Sequence, residues 1–490
     1  MANILKSMHL NKEILVRLIR AFYKGDFPSN IRKVPFEMRP KDSEASYRCC
    51  IYKERAVIRD RVVAFLGFPL EEDNEEEGLR EYAIRALERE NVGTTHLTVL
   101  DNACKGCVPS RVFVTNLCQG CIARPCQNAC KFDAINVVNG KAQIDANKCK
   151  NCLICVKECP YGAIVKRTVP CETACPVGAI LKNENGFAKI NYDKCISCGK
   201  CMMACPFGAV NEISQIVDVI KRLKNKEKLV ALIAPAIVGQ FKGNIYQLRA
   251  AIKKAGFFDV IEVSEGADKT INAEARELLK RCKDGAKLMT TSCCAGYKEL
   301  VKKFIPELKE YVSDTRTPVS FTAEISKKLY EDAKTVFISP CVAKKAEMNI
   351  DANVDFVINF EELDALLLAL EIDILDCKEE SFRVEPSKQG RGFPLSGGVA
   401  EAVRFKANNE NINVKIINGI NKETFRELRS LPKLVESGKE FSKGCTLCEV
   451  MCCEGGCIGG NAVVNDGKIS KNTLNKFLET SKDISKGVEK

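Results

Sequence analysis

The sequence predicts an α/β unit with largely parallel sheets over residues 225–460. An α+β segment organised by cysteine comes before it, at 101–215, and a mainly helical region before that, at 1–100. Three observations carry this. Apolar β-rich runs alternate with helical patterns after residue 225. Sixteen of the 28 cysteines fall between residues 101 and 215. The first 100 residues contain no C-x2-C spacing and repeat apolar residues at helical intervals.

In the N-terminal region, Ile14, Leu15, Leu18, Ile19 and Phe22 recur with helical period, and a second helical pattern runs over 56–65. The acidic run 71–77 reads as a solvated loop. Adjacent Cys49 and Cys50 read as free, packed thiols. The last 30 residues, 461–490, are polar with one helical pattern around Leu474–Leu478.

Composition narrows the function classes. No apolar run approaches the roughly 18 residues that span a bilayer, and no leader segment is apparent, so a cytoplasmic protein away from membranes is expected. Clustered cysteines in such a chain read as metal sites, and soft thiolates at this density select zinc or iron–sulfur clusters. With only two histidines, His9 and His96, histidine-based metal chemistry is nearly excluded. The net charge of +11 suggests nucleic acid at first sight. Residues 101–215, however, carry 14 Lys+Arg against 8 Asp+Glu. Several bound clusters, each roughly −2 with its thiolates, would cancel that excess, so no nucleic-acid partner is expected.

Two cysteine runs follow C-x2-C-x2-C-x3-C-P in full: Cys149, Cys152, Cys155, Cys159 and Cys195, Cys198, Cys201, Cys205. This is the bacterial-ferredoxin spacing, in which the fourth cysteine serves the other cluster of a pair. Cys118, Cys121, Cys126 and Cys130 form a degenerate run with two inserted residues. By crossover, one cluster takes Cys118, Cys121, Cys126 and Cys159, and its partner takes Cys149, Cys152, Cys155 and Cys130. Cys104-x2-Cys107 is the head of a motif and Cys171-x3-Cys175-Pro176 a tail. Joined in space, they give Cys104, Cys107, Cys171 and Cys205 for one cluster, and Cys195, Cys198, Cys201 and Cys175 for another. A ferredoxin-like domain with four 4Fe–4S clusters results. The alternatives are a zinc ion at Cys104, Cys107, Cys171 and a fourth thiol, or three clusters with Cys104 and Cys107 unligated.

Past residue 225, strand-like runs are expected at 228–233, 260–263, 287–290, 335–338 and 355–358, with helices over 297–304 and 361–370. Three cysteine groups stand out: Thr291-Ser292-Cys293-Cys294-Ala295-Gly296-Tyr297, then Ser339-Pro340-Cys341-Val342-Ala343-Lys344, and Met451-Cys452-Cys453-Glu454-Gly455-Gly456-Cys457. The first two follow a strand and precede a helix, where α/β folds place their sites.

These groups resemble, in order, the three loops of the iron-only (FeFe) hydrogenases, over about residues 100–460. In detail they are similar to the monomeric group B branch. The resemblance implies a two-lobed domain around an H-cluster: a 4Fe–4S cubane joined through a cysteine sulfur to a di-iron site with CO, cyanide and azadithiolate. It implies Cys294, Cys341 and Cys453 as cubane ligands and Cys457 as the bridging ligand. The Cys453-x3-Cys457 spacing is read as one helical turn, and Gly455 and Gly456 as letting backbone approach the cluster. By the same resemblance Cys293 is a proton-relay thiol and Lys344 bonds a cyanide, although taken alone it reads as a surface lysine. Met451, Ala234, Pro235 and Phe393 line the di-iron pocket. The implied proton path enters through Glu274 and passes Ser313 and Glu277 to Cys293, with Arg281 ending it by pairing with Glu274.

The implied activity is reversible dihydrogen formation from protons and reduced ferredoxin or a similar low-potential carrier, in a protein served by maturation enzymes that deliver the di-iron site. A low-turnover dihydrogen sensor and an iron–sulfur assembly protein are the alternatives. Assembly relatives characteristically lose the relay thiol or the lysine, and both are present here. The sequence departs from the family at Ala295, Tyr297, Ser339, Cys452, Glu454 and Asn461. Ser339 is expected to widen or wet the pocket. Cys445-x2-Cys448 is unassigned: it could bind nothing, form a disulfide or offer another thiol.

Overall fold

A computed structural model describes residues 2–74, 76–348, 353–409, 411–438, 441 and 444–487. Two parallel sheets organise the C-terminal half. In the four-stranded one the order is Asp259–Glu262, Leu229–Ile233, Lys334–Ser339, Phe356–Asn359. Every residue of Leu229–Ile233 is buried, as expected of a strand covered on both faces. In the three-stranded sheet, Cys445–Met451 lies between Leu288–Thr290 and Ile412–Asn418. Those last two strands escape a pattern reading. Ile412–Asn418 carries Asn and Lys on an edge, and Cys445–Met451 is wholly buried although its cysteines suggest a metal motif. In a strand, a buried cysteine serves as a small apolar residue.

The helix Val263–Lys283 passes between the lobes. It packs against Pro318–Leu329 so closely that a Cβ at Gly266 would lie 2.1 Å from the Pro318 carbonyl oxygen. Only glycine permits this approach.

The N-terminal helices Ala2–Tyr23 and Ile51–Phe65 share one core with the four-stranded sheet, where Ile14, Leu15, Leu18 and Ile19 pack with Leu363 and Leu366. The helix Ile216–Lys224, just after the cysteine segment, joins the same core. Polar ties reinforce the docking. Arg61 donates to the Gly208 carbonyl at 2.8 Å, Arg89 to Asp218 at 3.0 Å, and Lys12 pairs with Asp364 at 2.5 Å.

Two sequence expectations are corrected here. Glu75 lies outside the described residues, but the rest of the acidic run is not simply solvated. Asp73 accepts from Arg59 and from the Tyr82 hydroxyl, each at 2.7 Å, and Glu77 pairs with Arg85 at 3.0 Å. Nor are the vicinal thiols packed away: Cys49 is exposed, 3.9 Å from the Cys50 sulfur, because they sit ahead of Ile51–Phe65 rather than inside its buried face. No helix among the described residues is long and apolar enough to cross a membrane.

The cysteine segment consists of short antiparallel pairs: Arg111–Val114 with Ile164–Arg167, Ile135–Val138 with Lys141–Ile144, and Ile180–Lys182 with Ala188–Ile190. A fourth pair, Leu97–Val99 with Val210–Glu212, closes the segment onto the helices. Its apolar cores are small, and cysteines make up much of them.

Candidate functional site

The C-terminal ends of the two parallel sheets converge on one cavity. Ala234 and Pro235 follow Leu229–Ile233, Cys341 follows Lys334–Ser339, Cys293 and Cys294 follow Leu288–Thr290, and Cys453 follows Cys445–Met451. Strand ends leave backbone and side chains free of the ladder, which is why α/β folds place sites there. Cys293, Cys294, Cys341, Cys453, Cys457, Lys344, Met451, Ala234, Pro235 and Phe393 all line this cavity, so the three loops meet as their resemblance implies.

Cys294 is the N-cap of Ala295–Phe304. Between Cys453 and Cys457 the chain makes a tight turn rather than the expected helical one. Gly455 and Gly456 have φ of +79° and +89°. Gly456 bridges to Leu395, and a Cβ there would lie 2.3 Å from the Pro394 carbonyl oxygen. These glycines are therefore required by the turn and by the neighbouring loop. Ser339 does not open the cavity to water. Its hydroxyl accepts from the Cys341 amide and faces the Cys341 carbonyl, both at 3.1 Å, and this stiffens the loop that carries Cys341.

The thiols resist ionising together. Burial pushes Cys341 and Cys457 up to about 12, and neighbouring thiols add to the effect. Cys294 goes the other way, to about 6, because the Cys452 thiol and nearby amides stabilise its thiolate against burial. Burial and then Glu274 drive Cys293 well above the usual thiol range. Lys344 is no surface lysine. Its ammonium donates to the Cys293 carbonyl at 3.0 Å and pairs with Glu347. Burial opposes its charge, but Glu347 outweighs burial and raises the pKa.

On one flank lies the helix Val263–Lys283. Glu274 is fully buried, and neither carboxylate oxygen has a hydrogen-bond partner of good geometry, although Ser313 and the Ser292 amide face it. Burial, then the charge of Glu277, lifts it to about 8. One turn further on, Glu277 is solvated and well held. It accepts from Ser313 at 2.8 Å, the Thr315 hydroxyl at 2.7 Å and the Asp314 amide at 2.9 Å, and pairs with Arg281 at 2.7 Å. These donors outweigh burial and hold its carboxyl below the ordinary range. The expected order of the path is thereby reversed. Glu274 is the inner group beside Cys293, Glu277 is the outer one, and Arg281 pairs with Glu277 and Asp314, not with Glu274. The period of the helix decides this, since residue 274 falls on its buried face and residue 277 toward its rim.

On the other flank lies the cysteine segment. Cys126 has Cys159 and Cys121 as neighbours, and Cys155 has Cys149, Cys152 and Cys130. Cys118 packs into the same small core. Cys107 lies near Cys104 and Cys205, Cys171 near Cys205, and Cys198 near Cys195 and Cys175, with Cys201 beside all three of that last set. Backbone amides point at sulfurs in a repeated way: Ala134 to Cys130 at 3.4 Å, Ala179 to Cys175 at 3.1 Å and Ala209 to Cys205 at 3.4 Å. Such donors suit thiolates bound to clusters. Cys198 also lines the central cavity.

Sequence reading missed three features of the site. Asn461 accepts from the Val342 amide at 3.1 Å and donates to the Cys198 carbonyl at 2.7 Å, tying the Cys341 loop to the relay segment. Cys445 is disulfide-bonded to Cys282 at the end of the Glu274 helix, not to nearby Cys448. Cys452 packs against Gly296 beside Cys294. Departures from the family pattern flagged Asn461 and Cys452. Nothing in the sequence links residues 163 positions apart.

Residues 227–461 match the family described as iron only hydrogenase large subunit, C-terminal domain, and residues 141–164 and 188–211 match 4Fe-4S binding domains. Iron hydrogenase 1 of Clostridium pasteurianum is 30% identical over 277 residues, covering 48% of each chain. The NADP-reducing hydrogenase subunit HndD of Solidesulfovibrio fructosivorans is 28% identical over 310 residues, covering 51% of this chain and 52% of that one. The chain thus spans about half the length of the curated relatives it matches. A variant of the FeFe-hydrogenase of Chlamydomonas reinhardtii aligns with a TM-score of 0.42 and 21% identity, covering 52% of this chain and 88% of that structure.

Proposed function

We propose, from its membership of the iron-only hydrogenase family through residues 227–461, that this protein catalyses 2 H⁺ + 2 reduced carrier = H₂ + 2 oxidised carrier. The observation that carries the reading is the convergence of Cys294, Cys341, Cys453 and Cys457 with the non-ligand thiol Cys293 and Lys344 on one enclosed cavity. Four thiols, an apolar wall and an inward ammonium fit an H-cluster. When bound, that group supplies the redox and hydrogen-binding chemistry.

The protein's own residues do the rest. Cys294, Cys341 and Cys453 hold the cubane and Cys457 bridges to the di-iron site. Lys344 offers its N–H to a cyanide. Met451, Phe393, Ala234 and Pro235 exclude water. Protons enter at Glu277, pass the Ser313 hydroxyl to Glu274 and reach the Cys293 sulfur. A buried carboxyl with a pKa near 8 is protonated at neutral pH and can hand a proton on. The sixteen relay cysteines hold four 4Fe–4S clusters in the crossover sets set out above, and the thiol neighbours around Cys126, Cys155, Cys171 and Cys198 support that grouping.

The carrier is ferredoxin or a similar acidic low-potential protein. Residues 105–169 hold 10 Lys+Arg against 3 Asp+Glu, whereas 170–215 hold 4 of each. Cys152 is exposed in the outer part, while Cys171, Cys175 and Cys201 are buried in the inner part. Charge and exposure both place carrier docking at 105–169.

The test is dihydrogen evolution from reduced methyl viologen by anaerobically purified protein loaded with a synthetic di-iron precursor. Turnover with carbonyl and cyanide infrared bands supports the reading. Bands without turnover favour the sensor, and no bands remove the H-cluster and leave an assembly role.

A further inference from the structure

A second non-ligand thiol stands on the electron side of the cavity. Cys452 is the residue after Met451 and is only 4% exposed. A Cβ at Gly296, two residues beyond Cys294, would lie 2.8 Å from its sulfur. Cys452 lines the central cavity together with Cys294, Cys453 and Cys198, and it packs in one apolar cluster with Ile196, Cys198, Cys294 and Tyr297. Its thiol lies within hydrogen-bonding reach of Cys294. Cys452 therefore occupies the seam where the relay segment meets the cubane loop. Asn461 closes the same seam with its bonds to Val342 and Cys198.

The environment makes Cys452 a donor rather than a free nucleophile. It is buried, with Cys294, Cys198 and Cys453 as its charged neighbours, so it keeps its proton. An S–H facing a ligating sulfur stabilises the more negative, reduced cluster and raises its potential. We propose that Cys452 is a positioning residue whose S–H donates to the Cys294 sulfur and raises the reduction potential of the cubane relative to the relay cluster held by Cys198. The inference rests on the H-cluster reading and goes beyond it, because it assigns a role to a residue where this chain departs from the family.

The test compares wild type with Cys452→Ala and Cys452→Ser. The full chain is loaded with the di-iron precursor and followed by infrared spectroelectrochemistry, with iron content measured in parallel. In C452A the midpoint at which the carbonyl and cyanide bands shift should move to more negative potential at unchanged iron content. C452S, which restores a donor, should return it toward wild type. An unchanged midpoint in C452A overturns the proposal. So does a loss of iron, which would make Cys452 a ligand. If wild type shows no such bands, the hydrogenase reading fails separately. Cys452 is then tested by electron paramagnetic resonance titration of the iron–sulfur-reconstituted chain, reading the signal that Cys294→Ser abolishes, with the same expected shift.

Discussion

The cavity has two flanks built on different principles. Toward the relay segment, Cys198, Cys452 and Asn461 seal the wall with packed sulfur and paired backbone groups. Toward the helix Val263–Lys283, the wall contains a carboxyl, Glu274, that is wholly buried and lacks a partner of good geometry. An unsatisfied buried acid is costly and persists where it does a task. Electrons cross packed matter without a moving group, whereas a proton needs a chain of atoms that can each give and take one. The first flank can therefore be fully satisfied, and the second cannot.

The sharpest way to break the contrast is Cys293→Ala. It removes the last proton-carrying atom and should lower dihydrogen evolution by about 10²–10⁴-fold, while the infrared bands of the loaded site persist. Glu274→Gln should fall in the lower part of that range, and Glu277→Gln should cost less, because water can reach the outer position. Equal losses at the two would remove the distinction between inner and outer glutamate.

The same substitution probes stability. Glu274 has a folded pKa near 8, above the ordinary glutamate value, so the native state binds the extra proton. Stability should fall as pH rises from the ordinary glutamate range through about 8. Denaturant titrations of Glu274→Gln should lack that fall.

On the electron side, the combined change Lys150→Glu and Lys157→Glu should raise KM for an acidic carrier by roughly 10-fold at low salt. The effect should fade as salt rises, and methyl viologen turnover should stay as it was. The smallest effect belongs to Asn461→Ala, which removes two hydrogen bonds. It should cost on the order of 1–2 kcal/mol, read as a lower denaturation midpoint with the proton-side pH profile unmoved.

How much was legible depended on whether the signal was local. The strand runs near 228–233, 260–263, 287–290, 335–338 and 355–358 were readable because period and composition are carried by neighbouring residues. The strands Ile412–Asn418 and Cys445–Met451 were not. One is a polar edge, and the other is built from cysteine and glutamate that burial alone explains. In the site, motif spacing gathered the thiols of the three loops, but it could not rank Glu274 and Glu277. Both are glutamates on one helix, and only what packs against each face separates them.

The sequence by itself determined the ligand chemistry. Soft donors at fixed short spacings can be read without coordinates, since a loop of two or three residues cannot place its thiols far apart. The tertiary structure alone decided what is brought together from a distance: the direction of the proton path, the Cys282–Cys445 bond, the Asn461 tie and the meeting of Cys452 with Cys294. Each joins segments far apart in the chain. Such contacts are set by how the two parallel sheets and the helix between them pack, and no short-range pattern in the chain encodes that packing.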